Sequence, residues 1–506
     1  MDKFVFSTQT MIFKMKRTCT HFFAFFLFVT IGLQAQKASL EKVVKFKLQD
    51  IRAIEEKGSV SGYFFFYKID KENREENKYG LCVYDTDFNQ THFKEIIKPK
   101  KVELVDAKFN GTEYCFQMLD LEKMRYEFIV FNSSLEEVGK FLVPLPKEIA
   151  EAISEAANSG YGGAFVQTYT LVSLPETGFG VYGMNPATGR FELTAYTVSG
   201  DEVWKANSGN TDKKTYEYAS LLFYDKDLIT FEFLFYKNYK KIKEGERRLM
   251  RFDTKTGEKV SETQLTGLKH YSGFVDQIKR EEGSLLCGEY YDEETKTGGI
   301  ALLGIAEDGK IAEEVYISLR DDAANVLQDK AQVKLLADKS VMVHKLFMTD
   351  NGTTFMIGEV FDKNYVYDLV VFEIKDNALV NAYFSNKQKT NITSLTNAWN
   401  STAGLGALIK IGLVGGSDYC YTAINENKTG FTTVYCNYEK ENKSGDYLIG
   451  SLSFSAEKMF EKKEITLTSK PSYFTVLPAK PGHIAVFEYF EKEKSVNMRL
   501  EKVKFE

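Results

Sequence analysis

Residues Gly283–Leu319 read GSLLCGEYYDEETKTGGIALLGIAEDGKIAEEVYISL and hold three short apolar or alternating runs, Ser284–Tyr291, Gly299–Ile305 and Ile311–Leu319. A polar loop, Asp292–Gly298, separates the first two. The turn pair Asp308-Gly309 separates the last two, and Asp-Gly supplies the positive φ angles a tight hairpin needs. The stretch therefore reads as three consecutive antiparallel strands. Such a meander cannot bury both of its faces alone, whereas copies stacked side by side can.

The unit recurs along the chain. Turns at Asp85–Asn89, Asn132-Ser133-Ser134, Ser199-Gly200-Asp201, Asp253–Gly257 and Asp376-Asn377 each sit within a triplet of strand-like runs. A further triplet is Asp418–Asn425, Phe431–Tyr438 and Tyr447–Ser453, and the C-terminus adds Ser472–Leu477, His483–Phe490 and Val496–Phe505. Seven clear units plus a C-terminal part predict an all-β chain, a β-propeller of seven or eight antiparallel blades with a few short helical insertions. A pair of β-sandwiches is the competing architecture. The turns D-T-K-T-G (Asp253–Gly257), N-P-A-T-G (Asn185–Gly189) and A-E-D-G-K (Ala306–Lys310) resemble the outer hairpins of quinoprotein-like and WD40-like propeller repeats. Trp204 alone meets the repeat-terminal tryptophan of the former, and no Trp-Asp pair occurs. The resemblance implies the fold and brings no cofactor or site.

The N-terminus reads as an export signal. Lys14, Lys16 and Arg17 precede the apolar run Phe22–Leu33, and Leu33-x-Ala35 forms a small-residue exit, so residues 1–35 are a signal peptide cleaved near Ala35. The run is shorter than the roughly 20 apolar residues of a membrane-spanning helix. Residues 36–506 then form a single propeller domain in a periplasmic or secreted protein. They keep 61 basic and 70 acidic residues, a formal charge of −9. Interspersed charge of that sign argues against a nucleic-acid partner. No second run approaches membrane-spanning length, and a monomer is expected.

The two ends of this domain resemble each other. Leu40–Phe46 (LEKVVKF) and Leu500–Phe505 (LEKVKF) both alternate apolar and charged residues. A propeller must join its first and last blades or leave two open edges, so residues 41–47 are expected to pair into the same blade as 496–505.

Candidate chemistry is sparse. No cysteines are spaced as Cys-x-x-Cys, and His92, His270, His344 and His483 are far apart in sequence, so no metal or cofactor site is expected. Asp85-x-Asp87-x-Asn89 begins like a calcium loop, but Gln90 and Ile96 stand where Gly and Glu are required, and it reads as turn chemistry. Cys420 and Cys436 flank a hairpin symmetrically. They are either a disulfide or two free thiols.

Three insertions break the strand pattern: Pro146–Phe165, Arg320–Ala331 and Lys387–Leu408. The first opens helix-like, with Ile149, Ile153 and Ala156 on one face, and Asp321–Asp329 is expected to form a second short helix. Each insertion leaves the last strand of a unit. Strands alternate in direction, so these segments emerge on one rim together with the loops joining first to second strands, among them the basic loop Lys237–Arg248. A ligand site is expected there, lined by Tyr161, Trp399, Tyr239, Lys240 and Lys241, with Trp399 as a stacking anchor. The functional expectation is a binding scaffold for a protein or glycan, not a catalyst. The alternative is a propeller-borne carbohydrate-active hydrolase or lyase.

Overall fold

The computed structural model describes residues 37–503 except 47–49, 57–58, 146–168, 186–187, 213, 239–244, 293, 296, 363–364, 392–417, 426, 428, 440–445, 456–460 and 468–470. The strands form eight antiparallel sheets. Seven of them use, in chain order, residues 51–99, 102–144, 169–207, 216–264, 271–318, 340–391 and 419–466. The eighth combines residues 473–502 with Lys37–Glu41. First strands of adjacent sheets touch: Ile51–Glu56 meets both Tyr473–Pro478 and Val102–Phe109, and Tyr271–Arg280 meets both Tyr216–Tyr224 and Ser340–Met348. The chain is an eight-bladed β-propeller with its first strands innermost, which excludes the paired sandwiches.

Burial explains why the blades form. A second or third strand is covered on both faces by neighbouring blades, so it reads as a continuous apolar run: every residue of Tyr114–Asp120 and of Thr354–Phe361 is buried. Fourth strands lie at the periphery and alternate, as Glu137–Pro144 does. The core is correspondingly divided into eight apolar clusters, one at each junction between blades. At the junction of blades 3 and 4, Phe191 packs edge-on against Phe231 and Phe233 with ring centroids 4.9 and 4.8 Å apart.

Four expectations are refined. Each blade has four strands where the sequence showed three: the innermost was missed in blades 1 to 6, and the outermost, Glu461–Thr466, in blade 7. Closure occurs in the expected blade but four residues earlier, with Lys37 opposite Arg499 and Glu41 opposite Ser495. Lys42 then turns the chain with a φ of 62°, which sends Val43 and Phe46 into the junction of blades 8 and 1. The expected helix Asp321–Asp329 is instead two, α1 (Asp321–Val326) and α2 (Lys330–Asp338). Asp329 starts the second, its carboxylate accepting from Ala331 N at 2.7 Å. At the Asp308-Gly309 turn, glycine alone takes a positive φ, 83°, while the Asp308 carboxylate accepts from Lys310 N.

Trp204 packs against the next blade. It is buried, and a Cβ added to Gly257 would lie 2.4 Å from its indole ring. Gly257 also has a φ of 72°, so the D-T-K-T-G hairpin needs glycine twice over: for its turn and for the tryptophan lying on it.

Candidate functional site

The connections between strands are distributed unevenly. Those joining first to second and third to fourth strands lie on one rim, and each is five residues or fewer. Those joining second to third strands, and one blade to the next, lie on the other. The three longest connections, residues 145–168, 319–339 and 385–418, start and end on this rim, as do residues 237–245 and 42–50. The three insertions and the basic loop Lys237–Arg248 were expected on one rim, and the strands that flank them end there. Tyr161, Trp399, Tyr239, Lys240 and Lys241 themselves fall outside the described residues.

Inside the ring, polar side chains of the inner strands are matched across blade junctions. Arg52 lies 3.6 Å from Asp106. Asp276 accepts from Leu346 N at 2.8 Å and faces the Lys345 ammonium at 3.1 Å. The imidazole of His344 stands 2.9 Å from Glu359 and stacks on Tyr419 with centroids 4.4 Å apart. Burial raises the carboxyl of Asp418 above the usual range although Lys387 lies 2.6 Å away and opposes this.

A repeated device emerges that the sequence reading missed. Glu232, Glu289 and Glu359 occupy equivalent positions in the second strands of blades 4, 5 and 6. Each reaches the backbone N–H at, or just before, the first strand of the next blade: Phe274 at 3.4 Å, Val343 at 3.2 Å and Asp418 at 3.1 Å. The receiving strands carry β-bulges beside those points, at Phe274/Asp276, Val343/Lys345 and Tyr419/Tyr421. A bulge leaves backbone groups outside the ladder, and a carboxylate satisfies one of them. The signal was present as the near-repeat CGEYYD (Cys287–Asp292) and IGEVFD (Ile357–Asp362). Glu232 also binds Arg247, Nε to Oε1 at 2.7 Å, and Glu359 has His344. Glu289 has no cation beside it among the described residues, and burial pushes its carboxyl up to about 8. Its carboxyl therefore takes up a proton more readily than an exposed one, and the protonated form can donate a hydrogen bond as an ionised carboxylate cannot.

Cys420 and Cys436 do meet. Their sulfurs are 3.7 Å apart as free thiols, with Cys420 at the bulge between Tyr419 and Tyr421 and Cys436 N donating to Asp418 O at 2.7 Å. The shared hydrogen bond and burial hold the Cys420 thiol well above its usual range, so it is a poor nucleophile. Mild oxidation of the mature chain is expected to link the two and to stabilise it by about 3 kcal/mol. Non-reducing peptide mapping with urea unfolding reads both effects; two thiols that stay free under oxidant would refute the pairing.

The Asp85 carboxylate accepts from Asp87 N and Asn89 N, both at 2.9 Å, which is turn chemistry. His92, His270 and His483 lie apart in different blades. Among the described residues no three His, Cys, Asp or Glu side chains form a group able to hold a metal ion, and no helix is long and apolar enough to cross a membrane.

Fold and rim define a closed eight-bladed propeller with its long connections gathered on one side. The chain belongs to a family of unknown function, DUF6770, whose model matches residues 15–366 and 362–504. No curated protein matches the sequence. Among solved structures it is similar to a prolyl endopeptidase (8% identity, 85% of this chain and 54% of that one, TM-score 0.37), so the chain spans about half the length of that enzyme. It is also similar to the β-propeller domain of the Trilobed protease from Pyrococcus furiosus (8% identity, 84% and 97% covered, TM-score 0.35). A third is KlHsv2 with loop 6CD replaced by a Gly-Ser linker (8% identity, 79% and 98% covered, TM-score 0.36). At these scores no ligand or activity passes to this chain.

Proposed function

We propose that the protein is an exported binding scaffold: a rigid ring whose rim of long connections holds a protein or glycan ligand. The observation that carries this is the asymmetry of the rims, five residues or fewer for every connection on one against segments such as 145–168 and 385–418 on the other. Connections that only close hairpins have no need of such length, and binding residues concentrate on loops fixed by a rigid frame. The apolar run Phe22–Leu33 behind Lys14, Lys16 and Arg17 supports export, with cleavage near Ala35. Tyr161, Trp399, Tyr239, Lys240 and Lys241 are the side chains this reading puts to work, Trp399 as the stacking surface.

The test is to screen the mature chain on arrays of polysaccharides and surface proteins, then repeat the measurement with Trp399→Ala and Tyr161→Ala. For a bound ligand, loss of a stacking aromatic is expected to weaken binding by about tenfold or more at unchanged melting temperature. A ligand held equally well by both variants would remove these residues from the site.

A further inference from the structure

Where blades 1 and 2 meet on the long-connection rim, a cavity of about 350 Å³ is lined by four lysines, Lys45, Lys68, Lys71 and Lys100. Small-molecule sites begin at about 300 Å³. The fold brings the four together from three separate segments. Residues following the closing strand run beside the second strand of blade 1, with Val44 N donating to Lys68 O at 2.9 Å and Lys45 bridged to Lys68. Lys71 lies at the end of that same strand, Ser59–Lys71. The connection between blades 1 and 2 is drawn in by Lys100 N donating to Glu75 O, also at 2.9 Å.

These charges are not neutralised as others nearby are. Lys78 has Glu72 and Glu95, and Lys98 has Glu127. Among the described residues no carboxylate lies within ion-pair distance of Lys45, Lys68, Lys71 or Lys100, although Asp50 and Glu103 also line the cavity. The Lys100 ammonium donates to the carbonyl of Arg74. Burial and then the neighbouring ammoniums of Lys71, Lys45 and Lys100 lower the pKa of Lys68, with only Asp70 opposing. A fold that gathers like charges around an opening bears a cost that an anion would relieve.

The remaining wall is suited to hydroxyls. Asn77 is 5% exposed and donates its amide to Tyr79 Oη at 3.3 Å, while its Oδ1 is buried without a hydrogen-bond partner. Buried acceptors in that position call for a donor. Tyr79 stacks on Phe66 with centroids 4.9 Å apart, which gives the wall a flat apolar patch beside the polar atoms.

We propose that this pocket takes a sugar residue bearing at least two oxyanion groups, sulfate, phosphate or carboxylate, with the lysines on its charges and Asn77 Oδ1 on a hydroxyl. The proposal rests on the rim being the ligand face and names one ligand class for it. Lysines suit such a ligand because each is a movable point charge, able to follow groups spaced around a ring.

The experiment is calorimetric titration of the mature chain with four probes: a multiply sulfated disaccharide, its unsulfated parent, glucose 1,6-bisphosphate and inorganic phosphate. Saturable binding is expected for at least one charged sugar and none for the unsulfated parent. Binding of the disaccharide alone assigns an acidic polysaccharide as source; binding of the bisphosphate alone assigns a free sugar phosphate. Two lost charge-assisted contacts in Lys68→Gln/Lys71→Gln should weaken the charged sugar by about tenfold or more. Lys68→Met should raise the melting temperature of the unliganded protein, because it removes a charge the fold disfavours; a lysine kept for structure would lower it. The proposal is overturned if neither charged sugar binds, if the double variant binds equally, or if inorganic phosphate binds as tightly as the sugars. A neutral glycan bound through Trp399, with neither charged sugar bound, would uphold the rim while removing this pocket.

Discussion

A mature chain lacking residues 37–46 should lose at least about 5 kcal/mol of stability, if it folds at all, because three buried side chains leave with the segment. Leu40, Val43 and Phe46 are 6%, 0% and 7% exposed in the seam between blades 8 and 1. Phe46 packs on Tyr489 with centroids 5.7 Å apart, and Tyr489 Oη donates to Val43 O at 3.3 Å. The same deletion strips the ladder from Ser495–Lys502 and leaves it an open edge. An uncovered edge strand pairs with other chains, so the truncated protein should also self-associate. Urea unfolding and size-exclusion chromatography measure the two effects. An unchanged midpoint with a monomeric profile would mean that this strand does not close the ring.

Gly288→Ala is expected to cost about 3 kcal/mol or more, since the clash it creates is with backbone. A Cβ at residue 288 would lie 1.7 Å from Gly273 O and 2.8 Å from Phe274 Cα. The inner strand of blade 5 would have to move at its bulge, beside Asp276 and its bond to Leu346 N, while Glu289 lies next in sequence to the substitution. Two contacts across the junction of blades 5 and 6 are therefore strained by one methyl group. Gly304→Ala is the control: the nearest atom to its Cβ is the Glu313 Cβ at 3.0 Å, a contact relieved by a far smaller movement than the 1.7 Å approach at residue 288. Denaturation midpoints that fall equally for the two variants would contradict the account of the bulge.

How far the fold could be read from the sequence follows from burial. Second and third strands are covered on both faces and fourth strands on one, so both leave a pattern: Thr354–Phe361 is buried throughout and Glu137–Pro144 alternates. Inner strands leave a weaker one. Tyr216–Tyr224 is half-buried along most of its length, neither an apolar run nor an alternation, and the inner strands of blades 1 to 6 passed for parts of loops, whereas those of blades 7 and 8 were read as strands. The closing strand was found by its likeness to the C-terminus, but its register was not, because the turn at Lys42 depends on a backbone angle that no residue type there announces.

The candidate site divides in the same way. The rim was legible because insertions interrupt a period. The lysine pocket was not, since Lys45 reaches Lys68 only once the ring is closed, and Lys100 joins them across a blade junction. The bridging glutamates had a readable signal in CGEYYD and IGEVFD. Its meaning required the bulge in the facing strand, which is a property of backbone geometry.

The central claim, that ligands bind on the rim of long connections, is tested most directly by hydrogen–deuterium exchange of the mature chain with and without whichever probe or array ligand binds. The account predicts slowed exchange on that rim, and for a charged sugar at residues 42–46, 68–79 and 98–104. Protection confined to the opposite hairpins, at residues 86–89, 132–136, 197–201, 253–258 and 306–310, would contradict it.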